Sequence, residues 1–98
     1  MAQKSTGQFK NRDRFIEIGL AIAYFRKLKG MTQQQLADLA MVSRSHISSI
    51  EAPNIVRPFS LEILFNIADA LEMDATDLLN FPVNTKRVGT RDWLWYVI

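Results

Sequence analysis

Cysteine is absent from this chain, and histidine occurs once. A disulfide framework, a cysteine-type zinc finger and a thiol nucleophile are therefore excluded. One imidazole cannot build a multi-histidine site, so no metal and no cofactor are expected. Long apolar runs are missing as well. The most apolar stretch, Ile18–Phe25, is far shorter than the ~18 residues that suggest a membrane span. No basic-then-apolar leader opens the sequence, so the expectation is a cytoplasmic chain with no membrane partner. A single His and scattered carboxylates form no set of acid, base and nucleophile, and the chain is expected not to be an enzyme.

What is present is ordinary globular material. The 98 residues make one domain's worth. With 48% hydrophobic and 22% charged residues, a disordered tail, a collagen and a coiled-coil rod are ruled out. The net charge of +2 hides a gradient. Residues 1–31 carry seven basic side chains against Asp13 and Glu17, a balance of +5. Residues 61–82 carry five acids and no base, a balance of −5. Such a separation orients a molecule in the field of a polyanion, although solvated faces alone also produce it.

The pattern is all-α. Residues 1–12 read as a flexible basic arm. A first helix is predicted from Asp13 to Lys29, stopped at Gly30. Thr32 caps a second over Gln33–Ala40, with Leu36, Ala37 and Ala40 on one face. Ser43 caps a third over Arg44–Glu51, anchored by Ile47 and Ile50. Pro53, Asn54 and Pro58 mark a loop. Ser60 caps a fourth helix whose Leu61, Leu64, Ile67, Ala68 and Leu71 define its core face. A short fifth helix covers Ala75–Leu79 and ends near Pro82. Residues 13–82 thus form the domain.

The most specific stretch is 32–51. Only Met41, Val42 and the Ser43 cap separate two short helices, so they must meet at a sharp angle. Ala37 is small where the axes approach. With Ile47 and Ile50 inward, the third helix shows Arg44, Ser45, Ser48 and Ser49 outward, with His46 at its edge. Short polar groups and one Arg on an exposed helix suit the major groove, whose base edges carry hydrogen-bond donors and acceptors.

These residues resemble a known family. Met31-Thr32-Gln33-Gln34-Gln35-Leu36-Ala37, Ala40-Met41-Val42-Ser43 and Ile47-Ser48-Ser49-Ile50-Glu51 are similar to the Cro and phage-repressor type of helix-turn-helix domain, also called the xenobiotic-response-element family. Ser60-Leu61-Glu62, Ile67-Ala68 and Ala70-Leu71 follow at the family's spacing, and the likeness runs from Ile18 to Leu79. It implies a five-helix, lambda-repressor-like fold and a sequence-specific transcriptional regulator, a repressor, that binds double-stranded DNA as a homodimer. It assigns base reading to Arg44, Ser45 and Ser49. It assigns phosphate contact to Gln33, Ser43, Ser48, Asn54 and Arg57, with Ser43 also a helix cap. Arg26 and Glu51 fall where some members form an ion pair. His46 replaces a frequent aromatic, and packing or a backbone contact is expected of it.

Two features depart from the family. Met41 stands where the turn usually has Gly, so either a left-handed backbone is strained there or the turn has another geometry. In the first helix, Ile18, Ile22 and Phe25 make the expected stripe. Ile16, Leu20, Tyr24 and Leu28 make a second ridge, which requires a cover. The segment 83–98, ending Trp93-Leu94-Trp95-Tyr96-Val97-Ile98, is one candidate, from the same chain or a partner subunit, with Gly89 permitting the turn back. The alternative is a loose chain end, or a piece of a longer protein cut at Ile98. Leu78, Leu79 and Phe81 are the other dimer-surface candidates. A second functional class stays open: an antitoxin or adaptor using the same fold, with the apolar tail binding a toxin or another protein. RNA binding is disfavoured, because no aromatic platform lies on the reading face.

Overall fold

Among the residues described, 9–54 and 57–80, a computed structural model of the protein holds five α-helices and no strand. They are α1 (Arg12–Leu28), α2 (Gln33–Ala40), α3 (Arg44–Glu51), α4 (Leu61–Ala70) and α5 (Ala75–Leu79). Local chemistry sets most boundaries. Gly30, at φ +72°, stops α1, and the Met31 N–H turns back to donate to the Arg26 carbonyl. Thr32 opens α2 with a reciprocal cap: its hydroxyl accepts from the Gln35 N–H at 3.0 Å, and its own N–H donates to Gln35 Oε1 at 2.8 Å. Ser43 accepts from the His46 N–H, and Ser60 from the Ile63 N–H.

Met41 adopts the left-handed conformation, φ 59° and ψ 42°. The reversal lets the Val42 N–H reach the Ala37 carbonyl at 3.0 Å, so a carbonyl at the end of α2 gains a partner and the chain turns sharply into α3. α2 packs on both α3 and α4, while α1 packs on α3 and α5. Ile22, Leu36, Ile47, Ile67, Leu71 and Leu78 are the largest fully buried side chains. Ala21, Ala37, Ala40 and Ala68 fill the narrow spaces between helices.

Several expectations change. Leu61 is 65% exposed and does not join the core face of α4, because it stands at the rim of the stripe centred on Leu64, Ile67 and Leu71. Leu78 is buried in the core and is therefore removed as a dimer-surface residue, whereas Leu79 is half exposed. Ile50 is only half-buried, and Ile47 is the full anchor of α3. The second ridge of α1 is divided: Tyr24 packs beside Phe25 against the core, while Leu20 and Leu28 are exposed. At the start of the described chain, Phe9 meets Phe15 edge to face, Phe15 meets Phe59 likewise, and Arg12 opens α1. The proposed cover over 83–98, with Phe81, lies outside the described residues.

Candidate nucleic-acid interface

Three structural constraints position α3. Ile47 is fully buried. Gly19 of α1 lies against the end of α3, where a Cβ would collide with the Ile50 carbonyl oxygen. The third is an ion pair. Arg26 Nε donates to Glu51 Oε2 at 2.7 Å and Nη2 to Oε1 at 3.0 Å, with both side chains buried. Arg26 Nη1 also donates to the Met31 carbonyl, and Gln33 Nε2 donates to Glu51 Oε1 at 3.0 Å. One carboxylate thus joins the end of α1, the start of α2 and the end of α3. Such a fork–fork pair gives geometric specificity as well as energy.

With its inner face held, α3 turns the other side outward. Arg44 and Ser45 are exposed, and Ser48 and Ser49 are half-buried. Ser43, Ser45, His46, Ser49, Ile50, Arg57 and Pro58 line a cleft of about 310 Å³ between α3 and the loop that follows. The edge-to-face contact of Phe59 with Phe15 anchors that loop to α1.

The cleft brings together Ser43, Ser45, Ser49 and Arg57. Arg44 and Ser48 lie on the same helix but outside this lining, and Asn54 is exposed in the turn after α3. Gln33 stands at the N-terminus of α2, where its amide is engaged by Glu51 as well as being half-exposed. Gly19 escaped the sequence reading, and carried only a faint signal, a glycine inside an apolar helix. His46, of which packing or a backbone contact is expected, is half-buried and forms part of the cleft wall; only the position of residues 57–58 in space reveals that wall.

A capped eight-residue helix, pinned by its apolar side and joined through a tight turn to a second helix, defines a helix-turn-helix DNA-binding module. The family model described as "Helix-turn-helix" matches residues 22–78, more than half of the chain. The chain belongs to that family, of the Cro and phage-repressor type, and its class is the DNA-binding transcriptional regulator. It is 35% identical over 80 residues to the competence pilus inhibition repressor of Acinetobacter baylyi, covering 80% of this chain and 71% of that protein. It is likewise 35% identical over 78 residues to the HTH-type transcriptional regulator SinR of Bacillus licheniformis, covering 80% and 69%. The crystal structure of the restriction-modification controller protein C.AhdI from Aeromonas hydrophila superposes with a TM-score of 0.62 at 27% identity, covering 67% of this chain and 97% of that one.

Proposed function

We propose that this regulator represses transcription by laying α3 in the major groove of an inverted-repeat operator. The observation that carries the proposal is the two-sidedness of α3: Ile47 has no exposure while Arg44 and Ser45, its neighbours in sequence, face solvent. Arg44 pairs with guanine O6 and N7, which accept its two parallel N–H groups. Ser45 and Ser49 contribute less discrimination, since a hydroxyl both donates and accepts. Ser43, Ser48, Asn54 and Arg57 contact backbone phosphates around that helix. Gln33 contributes the second N–H of its amide, the first being held by Glu51. Backbone N–H groups at the N-terminus of α2 add donors toward the same phosphate.

Three base-facing side chains select too little sequence to mark one genomic site, so two copies act together on half-sites about one helical turn apart. The repressor named in Acinetobacter baylyi supports repression as the outcome. Selection of duplexes from a random-sequence pool, followed by sequencing, tests the proposal. An enriched inverted repeat with guanines in each half-site is expected. Enrichment of no sequence at all would remove the regulator reading of α3.

A further inference from the structure

The cleft beside α3 joins two cationic or cation-forming groups that the reading of base edges does not use, His46 and Arg57. Its wall holds one imidazole, one guanidinium and three hydroxyls, from His46, Arg57, Ser43, Ser45 and Ser49, and no carboxylate. Of the charged groups, Arg57 shares the cleft wall with His46, and Arg44 lies two positions earlier on α3. The acids of the elements packed on α3 stand outside this lining: Glu51 is paired with Arg26, Asp38 accepts from Gln34 Nε2 at 2.8 Å, and Asp13 and Glu17 lie on α1. A concave space lined by donors from several directions matches a phosphate diester, which accepts on all its free oxygens, better than it matches a flat base edge.

Resting on the DNA reading above, we infer that this cleft seats one backbone phosphodiester of the duplex, with the imidazolium form of His46 and Arg57 as its two charged ligands. An adjacent phosphate favours imidazolium over neutral imidazole. Binding therefore takes up a proton. The added affinity is fully present on the acid side and disappears as pH rises through the range in which an imidazole loses its proton. Linkage limits the slope to tenfold in affinity per unit of pH for one such group. His46 is the only histidine in the chain, and the comparison with His46→Gln separates its proton from that of an α-amino group, which titrates in the same range.

The test is isothermal titration of the full chain with the duplex recovered by selection. It is run at about pH 6 and about pH 8, in two buffers of different ionisation enthalpy, and compares the wild type with His46→Gln and His46→Lys. Wild type is expected to take up a fraction of a proton per site and to bind several-fold more tightly at the lower pH. Its log–log salt slope is expected to steepen there by up to about 0.9 for each site. Both variants are expected to lose the proton uptake, Gln by losing the charge and Lys by carrying it at both pH values. Tight binding by the wild type with no proton uptake overturns the inference while leaving the DNA reading intact. Undiminished uptake in His46→Gln does the same. A chain that binds no duplex at either pH overturns both.

Discussion

Met41 sits in the left-handed region at φ 59° with its side chain 82% exposed. A non-glycine residue costs about 1–2 kcal/mol there, and this side chain has almost no packing to compensate. Met41→Gly is expected to raise the melting temperature by a few degrees, since glycine's greater freedom in the unfolded chain offsets only part of the relief. Calorimetry showing a lower midpoint would place the strain elsewhere. Glu51 poses the opposite case. Removing its carboxylate leaves the buried Arg26 guanidinium with only the Met31 carbonyl and takes away the acceptor of Gln33. Glu51→Ala is expected to destabilise by about 3–5 kcal/mol in denaturant titration, most of it the cost of an unpaired buried charge. The Arg26–Glu51 pairing was legible in the sequence through the family resemblance. The Gln33 contact was not, because a hydrogen bond spanning 18 positions has no local signature.

Among the elements, α3 depends most on its neighbours. Its eight residues are too few to hold a helix alone in water, and packing supplies what propensity cannot. α1 provides much of that packing across Gly19. Helix propensity by itself favours Gly19→Ala by about 1 kcal/mol. The new methyl group, however, meets the Ile50 carbonyl, and backbone has little room to yield. A net loss of about 1–3 kcal/mol is expected, together with weaker duplex binding, as α3 is pushed from its seat. A melting temperature that rises instead would mean that α1 and α3 separate without cost. The caps of α2, α3 and α4 were readable in advance because a hydroxyl and the N–H it accepts from lie three residues apart. Leu61 was misread because periodicity assigns a face but does not say where the core beneath that face ends.

At the scale of the whole molecule, the sequence carries a balance of +5 over residues 1–31 and −5 over residues 61–82, a separation that suits steering toward a polyanion and that solvated faces alone also produce. Affinity for the selected duplex is expected to fall by at least about tenfold as monovalent salt rises from about 50 to about 200 mM. The two arginines of the interface should separate by mechanism. Arg44→Ala relaxes base preference and costs about 1–3 kcal/mol on the selected site, while Arg57→Ala weakens all sequences alike and reduces the salt slope by about one per site. Anisotropy titrations on selected and mixed-sequence duplexes distinguish the two. Equal losses on both duplexes for Arg44→Ala would remove it from base reading.

The amino-acid sequence alone determined the five helices, the caps of α2, α3 and α4 and the polar face of α3, because each depends on residues within a few positions of one another; it left two geometries open at Met41, and the structure decided for the left-handed one. Tertiary structure decided that Gly19 is the contact point of α1 with α3, that Gln33 is tied to Glu51, and that His46 and Arg57 share a cleft. Those relations depend on how helix axes cross and on where the Phe15–Phe59 contact anchors the loop. Crossing geometry is settled by the packing of the whole core at once, which no short window of sequence contains.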